Sequence, residues 1–156
     1  MFVAQFVLAP VGIGVVAAVC LSLIPSRHRR SFGAVFLAGA GAAYLSSGGL
    51  GLWDVLFTAV MTGVAFLGLR SNRWLGVGWL LHTAWDTVHA AKGSPILPMA
   101  AHSSAGCAVC DPVIALWYFA DAPSVPELLR GRRARSDHAA PATAEPATGS
   151  TADSAA

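Results

Sequence analysis

Apolar residues in this chain run on in long blocks rather than recurring at the spacing of a single amphipathic face. Four blocks stand out, at residues 6–24, 32 to about 47, about 52–69 and 74–91, and each reads as a helix. A fifth and weaker block begins near Asp111-Pro112 and is interrupted by Pro123 and Pro126. Punctuation separates them: Pro25-Ser26-Arg27-His28-Arg29-Arg30 after the first, Gly48-Gly49 after the second, and Arg70 to Arg73 before the fourth. About 20 mostly apolar residues suffice to cross roughly 30 Å of hydrocarbon as a helix. The pattern therefore predicts an all-α, polytopic transmembrane bundle of about five helices over residues 1–130. The first block lacks a basic segment before it and carries a basic flank after it, so it is expected to be a retained helix and not a cleaved leader.

Composition strengthens this expectation. Of 156 residues, 12% are charged and 55% apolar, against about 25% charged in an ordinary globular domain. Between Phe32 and Ala91 the ionisable residues are Tyr44, Asp54, Arg70, Arg73, His82, Asp86 and His89. Small folds leave much of their surface exposed, and a lipid bilayer is the partner that would accommodate so much apolar surface. From Ser136 onward the chain is Ala, Pro, Thr and Ser with scattered acids, which cannot offset the entropy of ordering. Residues 131–156 are expected to be a disordered cytoplasmic tail.

Charge placement suggests an orientation. With five crossings, Arg27, Arg29, Arg30, Arg70, Arg73, Arg130, Arg132, Arg133 and Arg135 share one side, and Lys92 lies on the other. Basic loops remain in the cytoplasm, so the expected protein is a multi-pass protein of the plasma membrane with its N-terminus outside and C-terminus inside. The net charge of +2 comes with no basic stripe and no phosphate-cradling glycine loop, which argues against nucleic acid. Ala34, Ala38 and Ala42, beside Gly39 and Ala43, form a small-residue face suited to close helix packing and to a homodimer.

The candidate chemistry gathers on what this topology makes the outer side. His82, Asp86 and His89 are spaced i, i+4 and i+7, along one helix face. Two imidazoles and a carboxylate suit zinc or another divalent metal. His82 and His89 stand about 10 Å apart along the axis, so two adjacent members of the trio, completed by His102, Asp111 or Asp54, make the better ligand set. The competing readings are an interhelical hydrogen bond for His82, an interfacial His89, and a structural partner role for Asp86. Cys107 and Cys110 form a Cys-x-x-Cys pair, open to three readings: a structural disulfide, a contribution to a metal or active site, or redox catalysis. Cys20 reads as a packing residue. Asp111-Pro112 also fits a helix start, with aspartate as cap and proline at the first position; Asp54 has the same alternative. Trp79, Trp85, Trp117, Tyr118 and Phe119 supply aromatic surface for interfacial anchoring or for a lipid-like or isoprenoid ligand.

The stretch Gly78-Trp79-Leu80-Leu81-His82-Thr83-Ala84-Trp85-Asp86, with His89 and the segment from Cys107 to Trp117, resembles an uncharacterised family of small bacterial and fungal integral membrane proteins. The resemblance covers roughly the first 130 residues and implies no activity; it supports treating His82, Asp86, His89, Cys107, Cys110 and Asp111 as one set.

These readings converge on an outward-opening polar site. Asp86 and His89 are expected to bind a metal or act as acid and base, His82 to orient or ligate, and His102 and Asp111 to complete the shell. Metal-assisted hydrolysis of a lipid-like substrate fits such a site, as does metal-free acid-initiated chemistry on an isoprenoid with Asp86 as proton donor. A transporter, sensor or structural subunit that binds a metal or proton without turnover is the alternative class.

Overall fold

The computed structural model describes residues 7–47, 49–97 and 99–130, and these form helices joined by short turns. In chain order the helices are α1 (Ala9–Ser22), α2 (Ser26–Ala42), the single turn α3 (Tyr44–Ser47), α4 (Leu52–Gly68), α5 (Asn72–Ala91) and α6 (Ser103–Phe119). Residues 125–130 are also helical. The tail expected over residues 131–156 lies outside the described residues.

Helices are therefore confirmed and membrane crossing is not. Among the described residues no helix is long and apolar enough to cross a membrane. The apolar blocks in the sequence run past the helix ends: α1 has 14 residues, and α2, α4 and α6 have 17 each. A 17-residue helix is about 25 Å long, short of roughly 30 Å of hydrocarbon. The 20-residue α5 has the length but carries Asn72, Arg73, His82, Asp86 and His89. The expected five-crossing topology, its outside–inside orientation and its plasma-membrane location are corrected accordingly. The arginine partition loses its basis for a second reason. Arg27, Arg29 and Arg30 are the first turns of α2, not a loop. Arg29 is buried there and donates to four acceptor contacts on three backbone carbonyls: Nε and Nη2 to Ile24 at 3.1 and 2.9 Å, Nη2 to Ser22 at 3.0 Å, and Nη1 to Ala122 at 2.7 Å. It closes the C-terminal end of α1 and ties it to the chain after α6.

The apolar surplus appears instead on the exterior, where Val35, Leu52, Trp53, Phe66 and Leu116 are exposed. Inside, α5 is the central helix and packs against α6, α4 and α2, while α1 rests on α6 and α2 on α4. Leu37, Met61, Leu75, Ala115 and Tyr118 are fully enclosed. A close approach seats α2 on α4, where a Cβ on Gly41 would stand 2.5 Å from Met61 Cβ. A second close approach seats α1 on α6, where a Cβ on Gly14 would lie 2.5 Å from the backbone oxygen of Cys110. Cys20, expected to pack, is exposed.

Local chemistry sets the ends of the two helices that carry the site. Ser71 caps α5, its hydroxyl accepting from Arg73 N at 3.3 Å, as serine does for the otherwise unpaired first amides of a helix. Past the last helical residue Ala91 and the capping Lys92, Gly93 turns the chain away from α5 with φ +67°. Gly93 N donates to Ala90 O at 3.1 Å and Ser94 N to His89 O at 3.0 Å, the paired closure that a left-handed glycine permits. The chain then returns through a loop pinned by two serines: Ile96 N donates to Ser104 Oγ at 3.0 Å and Leu97 N to Ser103 Oγ at 2.9 Å. α6 therefore opens at Ser103, and Pro112 lies inside it. The sequence places the start of this helix at Asp111-Pro112; the structure corrects that. The loop docks on the serine hydroxyls and starts the helix about two turns earlier, which puts Asp111 mid-helix.

Candidate metal centre

The 3.6-residue period brings His82, Asp86 and His89 onto one face of α5, and all three are buried. Opposite them, α6 presents Asp111, α3 presents Tyr44 and α4 presents Asp54, each of them also buried. Two linked polar groups result.

The first is centred on His82. Its Nδ1 lies 2.9 Å from Asp86 Oδ2 and 2.7 Å from Asp111 Oδ2. The second oxygen of each carboxylate is held by a separate donor. Tyr44 donates its hydroxyl to Asp86 Oδ1 at 2.5 Å, and Cys110 donates its thiol to Asp111 Oδ1 at 3.3 Å. Donor atoms of His82, Asp86 and Asp111 all lie within 4.8 Å of one another. Burial opposes charge on the imidazole, but hydrogen bonds to Asp111 and Asp86 and their negative charge outweigh it, raising the His82 pKa to about 10. Burial pushes Asp86 up as well, against the pull of His82 and Tyr44. The Tyr44 hydroxyl is driven far above its ordinary range by burial and by the neighbouring Asp86. The His82 ring thus lies between two aspartate side chains that favour its protonated form.

The second group is centred on Asp54. Its Oδ1 accepts from His89 Nε2 at 2.9 Å and from Trp85 Nε1 at 3.2 Å, and its Oδ2 accepts from Leu50 N at 2.9 Å. Asp54 therefore does satisfy a backbone amide at the start of α4, but from within the first turn and while also binding His89. The ring of Tyr44 connects the two groups, with its centroid 5.4 Å from that of His82 and 4.6 Å from that of His89. Among the described residues, two buried imidazole nitrogens, His82 Nε2 and His89 Nδ1, have no hydrogen-bond partner.

Of the residues singled out in the sequence, His82, Asp86 and Asp111 come together. His89 is assigned to Asp54 and not to that trio, and His102 is at the exposed cap position of α6. Cys107 and Cys110 sit one turn apart on α6 as free thiols. The neighbouring Cys110 lowers the Cys107 pKa, while the neighbouring Cys107 and burial push Cys110 well up. The residue that pattern reading passed over is Tyr44. It stood among the few ionisable positions of a long apolar stretch, but nothing local says that its hydroxyl meets a carboxylate 42 positions away.

Oxygen and nitrogen donors in this arrangement suit a divalent ion. Two donors at right angles, each about 2.1 Å from a metal, stand roughly 3 Å apart, close to the 2.9 and 2.7 Å separations between His82 Nδ1 and the two carboxylates. The outer donors Tyr44 and Cys110 are what such a centre requires to orient its ligands.

The chain belongs to the family of unknown function DUF6010, which matches residues 5–124. This agrees with the uncharacterised family anticipated from the His-Thr-Ala-Trp-Asp stretch; the match extends to neither membrane character nor bacterial or fungal origin. No curated protein and no solved structure matches the chain.

Proposed function

We propose that this protein is a metal-dependent enzyme whose centre is formed by His82, Asp86 and Asp111. One observation carries the reading: three donor residues from two helices converge in a buried position, and the free oxygen of each carboxylate is held in place by another side chain. Burying three ionisable groups together costs several kcal/mol unless they are paired or coordinate a metal. A divalent ion of the zinc, manganese or iron type, when bound, lowers the pKa of coordinated water towards 7 and polarises a carbonyl or phosphoryl oxygen, which suits hydrolysis. The chain's own residues would bind and orient: His82 supplies Nδ1, Asp86 and Asp111 one oxygen each, Tyr44 and Cys110 the orienting donors. Trp79, Phe57 and Tyr44 pack their rings around His82 at centroid distances of 5.8, 6.2 and 5.4 Å, and this aromatic wall supports an apolar, lipid-like or isoprenoid substrate.

A second reading, metal-free acid–base catalysis, has its own support in the His82 proton shared between two carboxylates. Elemental analysis of purified protein and titration with zinc and manganese(II) separate the two. The metal reading expects about one ion per chain, lost in His82→Ala and Asp111→Asn and retained in His102→Ala. Folded protein that binds neither metal at micromolar concentration would overturn it and leave the acid–base reading.

A further inference from the structure

The thiols of Cys107 and Cys110 are not needed as ligands in the centre described above, yet their arrangement is that of a reactive pair. They occupy positions i and i+3 of α6. One turn of helix sets their Cα atoms about 5 Å apart, inside the 4.4–6.8 Å range that a disulfide requires. Their exposure is unequal: Cys107 is half-buried, Cys110 is 8% exposed. The inner thiol is steered from behind by Asp111 Oδ1, which accepts its S–H at 3.3 Å.

We propose that Cys107 and Cys110 form a dithiol that reduces a low-molecular-weight disulfide, with Cys107 as the attacking sulfur and Cys110 as the resolving one. Cys107 Sγ attacks one sulfur of the disulfide RSSR, breaking its S–S bond, forming a mixed disulfide on Cys107 and releasing the first RSH, which carries the Cys107 proton. Cys110 Sγ then attacks the Cys107 sulfur, breaks the mixed disulfide and releases the second RSH with the Cys110 proton. Two electrons pass from the protein dithiol to the disulfide, and the helix is left with a Cys107–Cys110 bond. A small disulfide is the fitting partner because only one of the two sulfurs is approachable and the other lies in the bundle. The inference does not depend on a bound metal.

The test uses the full chain carrying Cys20→Ser, which removes the exposed third thiol. The reduced protein, freed of reductant, is incubated with glutathione disulfide and followed by intact-mass spectrometry and peptide mapping. The proposal expects the loss of two hydrogen masses per chain, a Cys107–Cys110 linkage, and two equivalents of released glutathione. Adding Cys110→Ser should trap a glutathione adduct on Cys107, whereas Cys107→Ser should leave Cys110 unmodified. Two thiols that stay reduced in excess disulfide, while both alkylate after denaturation, would overturn it. So would a glutathione adduct that persists unresolved in the Cys20→Ser protein, or trapping on Cys110 in place of Cys107.

Discussion

Replacing Tyr44 with phenylalanine isolates one atom of the site. The ring of Tyr44 contacts Phe57 edge-on at 5.5 Å and lies 4.6 Å from the His89 ring, contacts that phenylalanine keeps. What is lost is the hydroxyl that donates to Asp86 Oδ1 at 2.5 Å, between two residues that are at most 1% exposed. Asp86 Oδ1 has no other donor among the described hydrogen bonds, so its carboxylate oxygen would be left buried and unsatisfied. A hydrogen bond to a charged group contributes about 1.5–3 kcal/mol, and an orphaned buried acceptor sits at the upper end of that cost. Tyr44→Phe is therefore expected to destabilise the fold by about 2 kcal/mol, roughly 5–10 °C in Tm for a domain of this size. The second consequence falls on the metal: loss of an orienting donor typically weakens a metal centre by about 10–100-fold. Urea unfolding followed by circular dichroism reads the first, and competition with a chromogenic zinc chelator reads the second. Stability within 0.5 kcal/mol of the parent would refute the claim that this hydroxyl sustains Asp86. Unchanged zinc affinity in a variant that is destabilised as expected would confine Tyr44 to a structural role.

Three further substitutions test the α1–α6 packing and the buried hydroxyl on α6. Gly14→Ala forces a methyl against the Cys110 carbonyl and should cost about 1–3 kcal/mol; Gly12→Ala, whose Cβ meets nothing within 4 Å, should be neutral or stabilise by up to about 1 kcal/mol through helix propensity. Thermal unfolding of both variants checks the contrast, and equal effects would sink the α1–α6 contact as described. Tyr118 is wholly buried, its hydroxyl has no hydrogen-bond partner among the described residues, and burial raises its pKa from 10.0 to about 12. Below pH 10 the tyrosine is neutral in both states. Between pH 10 and about 12 the unfolded chain loses this proton first, so stability falls as pH rises, by at most about 1.4 kcal/mol per unit. Tyr118→Phe should match the parent within about 1 kcal/mol at neutral pH and exceed it above pH 10, as measured by urea midpoints across that range.

The helical class and the identity of the polar set could be read from the chain; their assembly could not. His82, Asp86 and His89 share a face because three and four residues make about one helical turn, a relation internal to α5. The same local logic made residues 6–24 and 52–69 read as membrane spans, because apolar composition counts residues across a helix end without registering it. The actual ends depend on Pro25, on the arginine-bearing first turns of α2 and on Gly51, and they leave helices too short or too polar to cross. Asp111-Pro112 carried a plausible capping signal, but two serine hydroxyls in the returning loop opened α6 earlier and left Asp111 as a buried mid-helix side chain facing His82. Tyr44, Asp54 and Asp111 gained their partners only through the packing of α3, α4 and α6 against α5. Spacing within a helix is set by backbone geometry and is present in the sequence; which donor faces which acceptor across helices depends on crossing and register, which only the packed core decides.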